Sequence, residues 1–187
     1  MFTYCPSCAS KKIRFELDKI FHCPDCDFIY YHNTAAAAGC LISIPETDGE
    51  ERLMLLVRGK EPMKGKLDLP GGFVDPGENI LEGLYRELKE EIGWAPPITA
   101  ESPLTQVFKF FASFPNVYPY KNITYNTCDL FFNVLAPGLR EQDLRLEKSE
   151  ISAVHFLRPQ EIDFEEIAFE SMKQVIRAYL KQNDRYP

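Results

Sequence analysis

Gly72 to Trp94 reads GFVDPGENILEGLYRELKEEIGW. Pro76-Gly77 is a turn signal, and Asn79 is placed to cap a helix. From about Ile80 to Ile92, Leu81, Leu84, Leu88 and Ile92 recur at helical spacing and predict one apolar stripe. Gly93 stands where a left-handed residue ends a helix. Glu87, Glu90 and Glu91 lie at i, i+3 and i+4, which puts three carboxylates on one face. Lys89 and Glu82 fall on the far, solvated side. Just upstream, Lys66-Leu67-Asp68-Leu69 reads as a short strand that Pro70-Gly71-Gly72 ends.

Three like charges on one face cost a few tenths of a kcal/mol per i, i+4 pair even when exposed. A solvated acidic face is one reading of them. The other is a metal site, because hard divalent cations such as Mg²⁺ prefer oxygen ligands. The flanking glycine loop favours the second. A chain with net charge −7 needs cations to bind a densely charged anion. Metal ions bridge carboxylates and phosphate oxygens and lower the pKa of a bound water, and a carboxylate can take that water's proton.

Gly72, Glu78, Arg86-Glu87-Leu88, Glu90-Glu91, Gly93 and Trp94 fill every position of the pattern G-x5-E-x7-R-E-U-x-E-E-x-G-U, where U is apolar. At usages of roughly 5–7% per letter, seven fixed letters coincide by chance on the order of 10⁻⁹ per window. The stretch resembles the Nudix box. That resemblance implies a diphosphate hydrolase using Mg²⁺ or Mn²⁺, with Glu87, Glu90 and Glu91 as metal ligands. One of them, or a downstream acid, would be the base. Arg86 would hold an acidic ligand in place, its planar fork suiting a carboxylate. Glu78 would steady the loop or bind a second metal. Gly71 and Gly72 would let backbone approach metal and substrate closely.

Two further pairs, Cys5-Pro6-Ser7-Cys8 and Cys23-Pro24-Asp25-Cys26, are separated by fourteen residues. That spacing is compatible with one β-hairpin carrying a zinc ribbon, and four thiolates suit tetrahedral Zn²⁺. Iron bound in a rubredoxin-like way is the competing metal. Disulfides are disfavoured because no secretory signal precedes the cysteines. His22 reads as a hairpin residue, since four cysteines already complete the shell. Cys40 and Cys128 lie in apolar strand-like runs and are expected to be small buried hydrophobes.

The expected organisation is a ribbon over residues 1–33 and a hydrolase domain over 34–187. Strands are predicted at 35–45, 53–58, 105–114, 126–135 and 154–157, with an acidic turn at 46–51. A loop is predicted at 115–124 and another at 137–149, and a helix at 165–181. The pattern resembles an α/β fold, the Nudix α/β/α sandwich with a mixed sheet, preceded by a small zinc-ribbon hairpin domain. Hydrophobic content of 45% and charged content of 26% fit a soluble globular enzyme. No apolar run reaches membrane-spanning length, so a cytoplasmic location and no membrane partner are expected. The acidic balance argues against a stable nucleic-acid partner.

A ribbon directly before a Nudix domain is similar to the NADH pyrophosphatase branch. Ser113-Phe114-Pro115-Asn116-Val117-Tyr118-Pro119 keeps part of that branch's S-Q-P-W-P-F-P motif and lacks its glutamine, tryptophan and middle proline. A surface loop is the competing reading; the functional one has Phe114, Tyr118 or Tyr120 stacking on a base. In this branch an acid before the last strand reaches the metals, which points to Glu150, with Glu147 as the fallback. The basic stretch of Arg58, Lys60, Lys64 and Lys66 reads either as a solvated loop or as a contact for substrate phosphates, with Arg58 the candidate. The implied substrates are nucleoside diphosphates linked to another group, NADH, NAD or ADP-ribose first. A housecleaning hydrolase of oxidised nucleoside triphosphates is the alternative enzyme. A ligand-sensing or nucleic-acid-binding module is the non-catalytic one. Nudix domains of this size often pair, so a homodimer is allowed, though no residue points to one.

Overall fold

A computed structural model describes residues 2–47 and 49–182; positions 1, 48 and 183–187, which include the ends of both expected units, lie outside the described residues. The first three strands, β1 (Arg14–Glu16), β2 (Ile20–Cys23) and β3 (Phe28–Tyr31), form an antiparallel sheet of their own. The expected single hairpin is therefore a three-stranded meander. Its small core stacks Phe21 against Phe2 and Phe15, with ring centroids 4.8 and 4.5 Å apart.

The main sheet is built from β4 (Ala35–Pro45), β5 (Glu51–Arg58), β6 (Leu67–Asp68), β7 (Gly71–Phe73), β8 (Lys109–Tyr120), β9 (Ile123–Leu135) and β10 (Ile151–Leu157). Its order is β10-β5-β4-β9-β8, with β6 pairing β5 and β7 pairing β4. The β4–β9 pair is parallel and the others are antiparallel. Both faces are covered, so β4 and β5 are almost continuously buried rather than alternating. On one face Cys40, Ile42, Met54 and Leu56 pack against Leu84, Leu88 and Ile92 of α1 (Ile80–Ile92). On the other, Leu41, Leu53, Leu55 and Phe131 pack against Val175, Ile176 and Leu180 of the C-terminal helix. The mixed α/β/α sandwich predicted from the box is the fold.

Helix α1 begins and ends where its sequence signals lie. Asn79 Oδ1 accepts from the Leu81 and Glu82 amides at 3.0 and 3.1 Å, and the Glu82 carboxylate accepts from the Asn79 amide at 2.9 Å. This capping box satisfies donors that the helix leaves open. Gly93 closes the helix at φ 64.

Several predicted elements differ. Residues 105–108 are not strand, because α2 (Leu104–Val107) turns the chain before β8. The predicted 115–124 loop is a continuous hairpin, closed by Lys121 at φ 52 and Asn122. Pro115 and Pro119 fit there because β8 is an edge strand, bonded on one side only. The expected 165–181 helix starts later, as α3 (Glu170–Gln182), after a 3₁₀ turn over Phe164–Glu166. Ile167 is still core, because it bridges to Leu67 beside β6 and is not helical. Cys40 is fully buried, which pushes its thiol far up, whereas Cys128 is exposed on the part of β9 outside both cores. Among the described residues, no helix is long and apolar enough to cross a membrane.

Candidate active site

The glycine turn between β6 and α1 sets the site. Gly71 has φ +139, and a Cβ there would lie 2.1 Å from the Ala38 carbonyl oxygen. Only glycine lets the strap run that close to β4. The Gly71 amide can then donate to Glu91 Oε2 at 2.9 Å. A Cβ on Gly72 would meet the Glu87 carboxylate at 2.6 Å. The strap therefore lies directly over the carboxylates of α1.

Arg86 organises those carboxylates from behind. Its Nε and Nη2 grip Glu78 in a two-point contact at 2.8 and 3.0 Å, and Nη2 also donates to the Phe73 carbonyl. Its Nη1 donates to both Glu87, at 2.8 Å, and Glu90, at 3.0 Å. Glu78 takes a further bond from the Asp75 amide at 3.1 Å. The Arg86 contact holds the Glu78 carboxyl below its usual range. Burial, opposed by Arg86, lifts Glu87. Burial lifts Glu91 well above the usual range; the Gly71 amide opposes this, and the charges of Asp68, Glu87 and Glu150 add to it. A carboxylate held that high is poised to bind a cation or a proton.

These groups open into a cavity of about 620 Å³. Its walls carry eight carboxylates, from Asp68, Asp75, Glu87, Glu90, Glu91, Asp129, Glu147 and Glu150, against two cations, Arg58 and Lys60. Arg58 is anchored: Nε donates to the Pro62 carbonyl at 2.7 Å, Nη1 pairs with Asp68, and the guanidinium lies 5.0 Å from the Phe169 ring centroid. Asp68 and Asp129 are each only 6% exposed. Asp129 accepts from Thr127 Oγ1 and Ser171 Oγ, both at 2.6 Å, whereas Asp68 is paired with Arg58. This concentration of oxygen donors suits hard divalent cations. Phe73, Tyr118 and Phe169 form an aromatic wall, with Tyr118 5.5 Å from Phe73 and 5.4 Å from Phe169.

Of the residues singled out from sequence, Gly71, Gly72, Glu87, Glu90, Glu91, Arg58, Tyr118 and Glu150 line this cavity, as does the fallback Glu147. Arg86 and Glu78 stand behind it. Phe114 turns instead into the α3-side core, 6.4 Å from Phe131. Tyr120 is exposed at the hairpin end, with Lys121 over its ring. Lys66 pairs with Glu166 at 3.0 Å, away from the cavity. Sequence reasoning missed Asp68, Asp129 and Phe169. Asp68 had a local signal, since it stands two residues before the Pro70-Gly71-Gly72 strap; the other two arrive through sheet order alone.

Beside the N-terminal sheet, the sulfur atoms of Cys5, Cys8, Cys23 and Cys26 all lie within 4.8 Å of one another. Cys5 to Cys26 is 3.6 Å and Cys8 to Cys23 is 3.7 Å. Zn–S bonds of about 2.3 Å place tetrahedral sulfurs about 3.8 Å apart, so the cluster fits that ion. The two knuckles match: Ala9 and Asp27, both at φ 57, donate their amides to the carbonyls of Cys5 and Cys23. His22 is not in the cluster; it lies in β2, near Glu16 and Asp27.

A mixed sheet between two helices, with a glycine strap over a carboxylate-bearing helix, frames this site. The family model for the NUDIX domain matches residues 34–179, and the chain belongs to that family. It is 36% identical over 70 residues to an ADP-ribose pyrophosphatase of Methanocaldococcus jannaschii, covering 37% of this chain and 38% of that one. It is 31% identical over 90 residues to the NAD-capped RNA hydrolase NudC of Deinococcus radiodurans, covering 48% of this chain and 31% of that one. The matched segments thus span well under half the length of these relatives. Among solved structures, a NUDIX hydrolase from Nitrosomonas europaea superposes with TM-score 0.62 at 25% identity, covering 98% of this chain and 93% of that one. The NUDIX domain of Shewanella oneidensis NrtR, solved with ADP ribose, shares the fold at TM-score 0.62 and 15% identity, over 86% of this chain and 94% of that one.

Proposed function

We propose that this Nudix hydrolase cleaves the diphosphate of a nucleoside diphosphate linked to another group, with ADP-ribose and NADH or NAD as the favoured substrates. The observation that carries this reading is the eight-carboxylate cavity beside an aromatic wall. Such a cavity repels a diphosphate unless cations intervene, and its aromatic rings offer a flat base a stacking surface. The relatives named for ADP-ribose and NAD-capped RNA support that substrate class.

Glu87, Glu90, Glu91 and Glu150 would hold Mg²⁺ or Mn²⁺. The bound metal would neutralise phosphate charge and acidify a water. Arg86 keeps Glu87 and Glu90 turned toward the cavity, and Glu78 keeps Arg86 in place. Gly71 orients Glu91 through its amide. Tyr118, with Phe73 and Phe169, receives the base. Water adds to one phosphorus, the P–O–P bridge breaks, and two phosphate monoesters leave with a proton released. The four thiolates of the N-terminal sheet would hold structural Zn²⁺, which suits a reducing compartment such as the cytoplasm.

The test is a product assay on ADP-ribose, NADH, NAD⁺, nucleotide sugars and 8-oxo-dGTP with Mg²⁺ and Mn²⁺, resolved by chromatography. AMP with ribose 5-phosphate, or AMP with nicotinamide mononucleotide, is the expected pattern. Turnover of the triphosphate alone would overturn the substrate class.

A further inference from the structure

Lys60 and Glu150 form an ion pair on the open side of the cavity, their side chains 47% and 39% exposed. Their backbones are fixed relative to each other. The Gly59 amide donates to the Glu150 carbonyl at 2.6 Å, and Ile151 pairs with Arg58 in the β5–β10 ladder. The loop carrying Lys60 is closed by the Arg58 amide on the Lys66 carbonyl at 2.9 Å and the Gly65 amide on the Arg58 carbonyl at 2.8 Å. Any change of partner must therefore come from rotation of these two side chains, the longer of which is the Lys60 stem. An exposed lysine–glutamate pair adds little to stability, so stability does not account for a lysine among these carboxylates. A phosphate oxygen is a strong partner for a lysine ammonium. The other cavity cation, Arg58, is tied to Asp68 and Pro62 and stacked on Phe169. Lys60 alone of the two is free to swing. Glu150 lines the same cavity as Glu87 and Glu91, so a Glu150 stripped of its lysine adds to the same cation-binding field.

We infer that Lys60 is a substrate-positioning residue that changes partners: it neutralises Glu150 in the substrate-free protein, then moves to an oxygen of the bound diphosphate and releases Glu150 to face Glu87 and Glu91. This rests on the hydrolase reading above. The exchange makes full cation-binding strength conditional on a phosphate being present.

The test uses the full chain with Lys60→Met, which keeps an unbranched stem and removes the charge, and Lys60→Arg, which keeps the charge. Mn²⁺ binding to substrate-free protein, read by electron paramagnetic resonance, is expected to tighten about two- to fivefold in Lys60→Met, matching release of an exposed pair. In a Glu150→Gln background the same substitution is expected to change nothing, a double-mutant cycle that isolates the pair. KM for ADP-ribose is expected to rise about tenfold, the loss of one charged hydrogen bond, with kcat little changed and Lys60→Arg restoring KM. Unchanged Mn²⁺ affinity, tightening that persists without Glu150, or an unchanged KM would each overturn the exchange. A wild-type protein inert on the whole substrate panel refutes the hydrolase reading itself, and is seen before any variant is compared.

Discussion

Gly72→Ala separates catalytic geometry from folding. An alanine Cβ at this position would lie 2.6 Å from Cδ and Oε1 of Glu87 and 2.8 Å from Oε2, where ordinary contact begins at 3.4 Å. The carboxylate must retreat by about 0.8 Å. It sits at the end of a flexible side chain, and the Gly72 backbone is not left-handed, so the fold absorbs the methyl. Replacing glycine at a compatible backbone position even contributes about 0.4–1 kcal/mol through the unfolded chain. Catalysis does not absorb it, since a misplacement near 1 Å can cost about 10²-fold, or about 2.7 kcal/mol of barrier. The assay is kcat/KM on ADP-ribose beside thermal melting. The expected result is a loss of about two orders of magnitude at an unchanged or slightly higher Tm. A kcat/KM within threefold of wild type would refute the placement of Glu87 in the reacting site. Gly71→Ala makes the contrast, because its Cβ meets backbone at 2.1 Å in a left-handed conformation; there Tm should fall together with activity.

Arg86→Ala removes the shared donor of Glu78, Glu87 and Glu90 and should lower kcat about 10²- to 10³-fold, whereas Glu78→Gln, whose carboxylate hydrogen-bonds to Arg86 and the Asp75 amide, should cost less; steady-state kinetics rank the two. Glu91 sets a pH dependence in metal-free protein. An unfolded glutamate loses its proton near 4.3, while burial holds the folded carboxyl protonated to higher pH, so its contribution is full below about pH 4.3 and is lost as pH climbs toward the folded value. In EDTA, Glu91→Gln should therefore flatten the fall in Tm between pH 5 and 8. It should also raise Tm at the alkaline end of that range, where the buried carboxylate is charged in the wild type; an unchanged pH profile would contradict the burial of this charge. Cys23→Ser should abolish stoichiometric zinc by atomic absorption yet leave most hydrolysis intact, because among the described residues none before Ala37 lines the cavity.

What was legible in the sequence was local. The helix from Ile80 to Ile92, its Asn79 cap, its Gly93 stop and its carboxylate face all follow from residues within a few positions of one another. The two cysteine knuckles are legible for the same reason. The remainder depends on strand order. Asp129 reaches the cavity because β9 runs parallel to β4, and Phe169 because the segment before α3 folds back beside β6. Pro115 and Pro119 looked like loop residues since proline breaks a central strand; only the edge position of β8 makes them compatible with a hairpin. Phe114 and Tyr120 share a face with Tyr118, but sheet packing draws one into the α3 core and leaves the other at the hairpin end. Ile167 kept a helical rhythm with Val175 and Ile176 although a 3₁₀ turn, not a helix, delivers it to the core.

The most direct measurement of the central claim is hydrolysis of ADP-ribose by wild-type protein and Glu91→Gln, each titrated with Mg²⁺ from an EDTA-treated state, with AMP quantified by chromatography. The account predicts AMP and ribose 5-phosphate from the wild type only as metal is restored, and a rate at least about 10²-fold lower in the variant with its fold preserved. Equal rates in both proteins, or AMP release that persists in EDTA, would contradict it.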